Sequence, residues 1–100
     1  MRVLFTGGGG AGTTALWNLL GGRYEIHAAD ADPARISPII PRDRAHRIPM
    51  GSDPNFLTSV RELCTRIEID VLVPGVDEEL LPLAEDPNSF QSTRVLLPDK

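Results

Sequence analysis

Apolar and polar residues alternate along the chain in blocks that predict strands separated by helical or irregular segments. The first block, Arg2–Thr6, is an apolar run typical of a central strand in a parallel sheet. It is followed by glycines, of which Gly7, Gly9 and Gly12 fit the pattern Gly-x-Gly-x-x-Gly. Such a turn lets a ligand approach the main chain, and the amino terminus of the next helix attracts an anionic group. The first residues of the chain therefore predict a strand, a glycine turn and a helix, in that order.

Three helices follow from the spacing of apolar residues. The first has a predicted buried stripe of Ala15, Leu16, Leu19 and Leu20, ended by Gly21 and Gly22. Trp17 lies off this stripe, so we expect it to be exposed or half-covered, or to contact a neighbouring domain or subunit. The second helix begins with Asp53 as cap and Pro54 in its first turn, and its stripe is Phe56, Leu57, Val60, Leu63, Cys64 and Ile67.

The third helix is predicted to begin at the acidic run Asp77, Glu78 and Glu79, because carboxylates suit a helix amino terminus. Pro82 should delay or kink this helix. Four further strands are predicted at residues 24–29, 45–48, 69–73 and 93–97, with 45–48 at an edge of the sheet because it is poor in apolar residues. Residues 30–44 contain three prolines and predict irregular chain with one helical turn at 34–36.

Strands that alternate with helices specify an α/β fold, here a Rossmann-like three-layer domain with a parallel sheet in the order 3-2-1-4-5. This order places the loops after strands one and four side by side, so the glycine turn faces the carboxylates of residues 77–79 across a crevice. We expect a sugar or amine group, or a magnesium ion, opposite those carboxylates. The first helix and the proline-rich segment cover one face thinly, which predicts contact with another domain or with a second copy in a homodimer.

Asp30 ends the second strand, about 20 positions after the glycines, where a dinucleotide fold places the acid that binds a ribose hydroxyl. The alternative is a turn aspartate that caps the next segment together with Asp32 and Pro33. The isolated residues His27 and His46 are interpreted as structural, and Cys64 as a small buried apolar residue.

Composition narrows the function further. The chain has 100 residues, which is one small domain, and a net charge of −4 gives no attraction to nucleic acid or to anionic membranes. One cysteine provides neither a disulfide framework nor a thiolate cluster for a metal, so a cytoplasmic location is expected. Apolar runs are too short for a signal peptide or a membrane span.

A family resemblance rests on four segments that cover nearly the whole chain: VLFTGGGGAGTTAL, HAADADP, DPNFLTSVRELCTRIEIDVLVPGVDEELLPLAE and RVLLPDK. The chain resembles the amino-terminal, pre-ATP-grasp domain of an ATP-grasp ligase of the carbamoyl-phosphate-synthase-like group. The most specific part is IDVLVPGVDEELLPLA. This resemblance implies a domain that helps to bind a carboxylate or amine substrate, while ATP and Mg²⁺ are bound mainly by an ATP-grasp domain of the same chain.

The resemblance also implies roles for particular residues. Gly8, Gly9 and Gly10 match the family's loop, and Asp77 and Glu78 match its substrate-facing turn. Lys100 matches a lysine that contacts ATP phosphates in the family. The front domain would then be residues 1–97, and residues 98–100 would begin the connection to the ATP-grasp domain. The four consecutive glycines depart from the usual Gly-Pro-Ala type of turn, and the sequence ends before an ATP-grasp domain. We therefore expect no catalytic residue and no metal ligand within these residues, and no turnover by them alone.

Two other functions remain open. An NAD(P)-dependent oxidoreductase fragment is favoured by the glycine pattern together with Asp30. However, Tyr24 is the only tyrosine and Lys100 the only lysine, so the Tyr-x-x-x-Lys pair used in hydride-transfer chemistry does not occur. A non-catalytic nucleotide-sensing module is the third candidate, because a fold does not determine a function.

Overall fold

A computed structural model of the chain describes residues 1–7, 11–75, 77–85, 90 and 92–96. It contains a five-stranded sheet in the order β3-β2-β1-β4-β5, and every neighbouring pair of strands is parallel. The predicted α/β class and strand order are therefore confirmed. The strands are β1 (Arg2–Thr6), β2 (Glu25–Asp30), β3 (Ala45–Arg47), β4 (Val71–Val73) and β5 (Arg94–Val95).

Helices connect these strands and cover both faces of the sheet. They are α1 (Ala11–Leu20), α2 (Phe56–Arg66) and α3 (Asp77–Glu85), with short 3-10 turns at Pro33–Arg35 and Arg42–Arg44. No full helix connects β2 to β3, as the prolines of this segment predict. Within the described ranges, no helix is long and apolar enough to cross a membrane.

The alternation of side chains along β1 divides the core between the two faces. Leu4 belongs to the cluster beneath α2 and α3, whereas its neighbour Val3 belongs to the cluster beneath α1. The α2 side contains the buried residues Leu4, Ala29, Ile48, Phe56, Val60, Leu63, Cys64, Ile69, Leu72, Leu83 and Phe90. The α1 side contains the buried residues Val3, Ile26, Ala28, Ile36 and Ile40. The predicted assignment of helices to faces is confirmed.

The predicted stripe of α1 is rotated relative to the observed one. Leu19 is 77% exposed, and Ala15 is also exposed. The inward positions are instead Thr13, Leu16, Trp17 and Leu20, which follow the i, i+3, i+4, i+7 spacing of a single helix face. Trp17 is half-buried against the core, so it lies on the stripe rather than beside it.

Helix α2 begins two residues later than predicted. Asp53 does not cap it directly, because its side-chain Oδ1 accepts a hydrogen bond from the N–H of Asn55 (2.8 Å) and its carbonyl accepts one from Phe56 (3.0 Å). These bonds close a turn that precedes the helix. The predicted apolar stripe is confirmed, and burial raises the pKa of the Cys64 thiol to about 11.

Helix α3 begins at Asp77, in the acidic run as predicted, and it runs through Pro82, so Pro82 does not delay its start. Its predicted end at residues 86–88 lies outside the described residues. β3 lies at the sheet edge, as predicted, and pairs with β2 through three residues. β5 begins one residue later than predicted and ends at Val95, and residue 97, the last of the predicted strand, is outside the described part of the chain.

Candidate functional site

The carboxyl ends of β1 and β4 lie side by side, because these two strands are paired in register from Val3↔Val71 to Phe5↔Val73. The chain leaves β1 at Gly7, which has a φ of 70°. This left-handed conformation favours glycine. The chain leaves β4 through Pro74 and Gly75. In open α/β sheets, ligands bind outside the carboxyl ends of the strands where the order reverses, which here is beside β1.

A hydrogen-bonded group centred on the buried Thr6 hydroxyl connects the two chain segments at this edge, and we call it the Thr6 bridge: Thr6, Gly75 and Glu79. The Thr6 hydroxyl donates to Oε1 of Glu79 and accepts a hydrogen bond from the N–H of Gly75 at 3.2 Å. Thr6 has no exposed surface and Glu79 is 4% exposed. A Cβ atom on Gly75 would lie 2.2 Å from the Thr6 carbonyl oxygen, so only glycine permits this approach.

Glu79 is therefore a buried carboxylate bonded to the end of β1. The sequence predicts three carboxylates opposite the glycine turn; Gly8, Gly9 and Gly10 lie outside the described residues, so the position of Glu79 relative to that turn stays a prediction. Its burial is not part of that prediction. A signal was present in the sequence, because Glu79 and Leu83 are separated by four residues and both point into the core. The helical face that buries Leu83 also buries Glu79, and Thr6 at the end of β1 provides its partner.

The other predicted site residues are placed only in part. Asp77 and Glu78 form the start of α3, but their side chains are outside the described part of the structure. Gly12 lies in the first turn of α1. Gly8, Gly9, Gly10 and Lys100 are outside the described residues, so their predicted roles stay predictions.

Asp30 takes part in a turn at the end of β2. Its Oδ1 accepts a hydrogen bond from the N–H of Asp32 at 2.9 Å, and Oδ1 of Asp32 accepts one from Ala34 at 3.2 Å. The second bond caps the 3-10 turn that follows. This is the turn role considered as an alternative in the sequence, and contact with a ribose stays a prediction.

Thr13 adds a second buried hydroxyl near the carboxyl edge. It lies in the first turn of α1 with no exposed surface, and its Oγ1 has no hydrogen-bond partner among the described residues. A buried hydroxyl without a partner is costly to the folded state.

The two histidines are not isolated from each other, contrary to the sequence interpretation. Nδ1 of His27 lies 2.9 Å from Nε2 of His46, and the rings stack with centroids 5.2 Å apart. Nε2 of His27 lies 2.6 Å from the Glu25 carboxylate. Glu25, two residues before His27 on the same face of β2, was a signal of this contact, whereas His46 is brought in by the register of β3. Within the described ranges, no group of three or more potential metal ligands is found.

A cavity of about 320 Å³ lies at the opposite edge of the sheet. Its lining includes Arg61 and Cys64 of α2, together with Asp70 and Thr93 just before β4 and β5. These residues mark the amino ends of the strands. The cavity is therefore separate from the carboxyl edge that the fold favours for ligands.

A scan against protein-family models gives no match for this chain, and a search of curated proteins also gives none. The class that the fold and the site define is a Rossmann-like α/β domain with two joined segments at the carboxyl ends of β1 and β4.

Proposed function

We propose that this domain is the substrate-binding front part of an ATP-dependent ligase, which activates a carboxylate as an acyl phosphate and transfers it to an amine or a related nucleophile. The observation that supports this best is the Thr6 bridge. It holds the start of α3 against the end of β1. In this proposal, the glycine turn and the acidic turn then form two sides of one crevice. Such a crevice suits a small polar molecule that carries both an acidic and a basic group.

The two sides have complementary chemistry. Main-chain N–H groups of the glycine turn, Gly7 to Gly12, would bind a carboxylate. Asp77 and Glu78 would bind an ammonium or hydroxyl group directly or through Mg²⁺. In this proposal, ATP and Mg²⁺ are held mainly by an ATP-grasp domain of the same protein, to which Lys100 adds a phosphate contact, and the enzyme works in the cytoplasm.

Hydroxylamine trapping in the full-length protein tests this function. An acyl phosphate reacts with hydroxylamine to give a hydroxamate, so a panel of small carboxylates and amino acids with ATP and Mg²⁺ should show ATP-dependent hydroxamate for at least one substrate. Asp77→Asn should raise the KM of the accepted substrate about tenfold or more, since a charged hydrogen bond contributes about 1.5–3 kcal/mol.

Glu62→Gln is the matched control, because Glu62 is an exposed acid on α2, away from the carboxyl edge. It should leave the KM unchanged. A panel that yields no hydroxamate would contradict the acyl-phosphate mechanism. An active ligase in which Asp77→Asn and Glu62→Gln have the same KM as the unaltered enzyme would remove the acidic turn from the site.

A further inference from the structure

Four charged or titratable side chains form a continuous chain across three strands of the sheet. Nε of Arg2 on β1 lies 3.0 Å from Oε2 of Glu25 on β2, and the same oxygen lies 2.6 Å from Nε2 of His27. Nδ1 of His27 then meets Nε2 of His46 on β3 at 2.9 Å. His27 is only 7% exposed, and His46 is half-buried. The chain ends at the edge strand.

The hydrogen-bond partners determine where the protons lie. The Glu25 carboxylate can only accept, so His27 donates from Nε2, and neutral His27 then accepts at Nδ1. His46 must therefore donate from Nε2. One added proton leaves this bond intact, because either ring can donate to the other. A second added proton would place an N–H on both facing nitrogens 2.9 Å apart, and the two cations would repel each other.

The charges around the pair act on the doubly protonated state in both directions. Arg66 of α2 and Arg44 of the 3-10 turn before β3 add positive charge, while Asp43 and Glu25 add negative charge. Burial lowers the pKa of His46 below its ordinary value of 6.5, and His27 and Arg66 lower it further against the opposing effect of Asp43. The hydrogen bond from His27 lowers the pKa of Glu25, and Arg2 lowers it as well, so the carboxylate stays ionised.

We propose that the His27–His46 contact is an acid-sensitive latch that holds the edge strand β3 on β2 and releases it when both rings are protonated. β3 has three residues and, among the residues that the structure describes, no strand on its other side, so its attachment depends on few interactions. Release would also loosen the Asp30 turn, because the N–H of Ile48 donates to the Asp30 carbonyl at 3.2 Å. Acidification would therefore change the carboxyl edge of the sheet through β3 and the Asp30 turn.

The direction of the pH effect follows from the lowered pKa of His46. A histidine whose pKa is lower in the folded chain than in the unfolded chain stabilises the fold fully above its ordinary value of 6.5, and this contribution is lost as the pH falls below that value. Glu25 has a lowered carboxyl pKa and contributes its own loss only below its ordinary value of 4.5. The two effects therefore occupy different pH ranges.

Amide hydrogen exchange in the full-length protein tests the latch at the two edges of the sheet. The N–H of Ile48 reports β3, and the N–H of Leu96, which donates to the Leu72 carbonyl at 2.9 Å, reports β5. Between pH 7.5 and 5.0, the protection factor of Ile48 should fall about tenfold or more while that of Leu96 stays within about twofold. In His46→Gln, which keeps a donor but cannot be protonated, the Ile48 protection should no longer depend on pH.

Equal losses of protection at both edges, or the same Ile48 loss in His46→Gln, would overturn the proposal. If that variant does not fold, titration of the histidine ring signals in the unaltered protein decides. The latch predicts that the ring signals of His46 titrate with a midpoint below the ordinary histidine value of 6.5, because burial and the facing His27 ring disfavour the protonated form of His46. A His46 midpoint at or above 6.5 would exclude the latch.

Discussion

Thr6 and Thr13 are both fully buried, yet their hydroxyl groups have opposite environments. Thr6 bonds to Gly75 and Glu79, whereas Thr13 Oγ1 has no partner in the described part of the chain. The net value of a hydrogen bond depends on what its loss leaves behind. A comparison of the two threonines therefore distinguishes the free-energy cost of burying a hydroxyl group from the stabilisation that its hydrogen bonds provide.

Replacing each threonine with valine should change the free energy of unfolding in different directions. Thr6→Val removes a hydrogen bond from the buried Glu79 carboxylate and one from the Gly75 N–H, so we expect a loss of about 1–3 kcal/mol. Thr13→Val removes a buried hydroxyl without a described partner, so we expect no loss or a gain of up to about 1 kcal/mol. Chemical denaturation measures both. Equal losses would mean that the Thr6 bridge adds nothing beyond the shape of its side chain.

At this scale, the sequence predicts burial better than it predicts partners. The burial of Cys64 follows from its position in an apolar stripe, and Asp30 was recognised as a turn residue in one of two interpretations. The contacts of Glu79 with Thr6 and of His46 with His27 span 73 and 19 residues of sequence. Such contacts require the strand register and helix placement, which no local pattern contains.

Among the elements, α3 contains a residue that opposes its own structure. Pro82 is the sixth residue of the helix, where its ring excludes the hydrogen bond to the carbonyl four residues earlier and crowds that turn. The helix persists because Glu79 and Leu83 on either side of Pro82 are buried. Tertiary packing, rather than intrinsic helix propensity, therefore stabilises α3.

Pro82→Ala should raise the free energy of unfolding by about 1–3 kcal/mol, since it restores the helical bond at a half-buried position. Pro33→Ala is the control, because Pro33 is the first residue of a 3-10 turn, where no N–H is needed. That change should instead lower stability by about 0.4–1 kcal/mol through a more flexible unfolded chain. Thermal and chemical unfolding of both variants check the opposite signs; a loss of stability in Pro82→Ala would mean that the ring's packing outweighs the missing bond.

The elements also show where periodicity is sufficient for prediction and where it is not. The stripe of α2 was predicted in full because its apolar residues occupy one face with polar residues opposite. In α1 the apolar residues are not confined to one face, and the phase that the sequence predicts would bury Leu19, which is exposed. The buried face includes the polar residue Thr13, and a prediction based only on the spacing of apolar residues does not include it.

For the whole molecule, the two faces of the sheet are covered unequally. Two helices, α2 and α3, cover one face, whereas α1 and the 3-10 segments cover the other and leave Val71, Val73 and Phe5 half-exposed. The strand order was predictable because handedness and crossover rules leave few arrangements once strands and helices alternate. The sequence predicts where the crevice lies, because its position follows from the strand order. It does not predict the chemistry of the crevice, because that depends on the directions of individual side chains.

The oxidoreductase alternative is tested by titrating the full-length protein with NADH and recording cofactor fluorescence. We expect no saturable change up to about 1 mM. The carboxylate of Asp30 serves the turn through its bond to the Asp32 N–H, and the chain offers Tyr24 and Lys100 as its only tyrosine and lysine. Asp30→Asn sharpens the test, because asparagine keeps the oxygen that accepts this N–H while it loses the charge that favours ribose hydroxyls. Saturable binding with a micromolar dissociation constant that weakens in Asp30→Asn would assign Asp30 to a ribose and place a dinucleotide in the glycine turn. The turn geometry predicts the other result, in which NADH does not bind and Asp30→Asn leaves the free energy of unfolding unchanged.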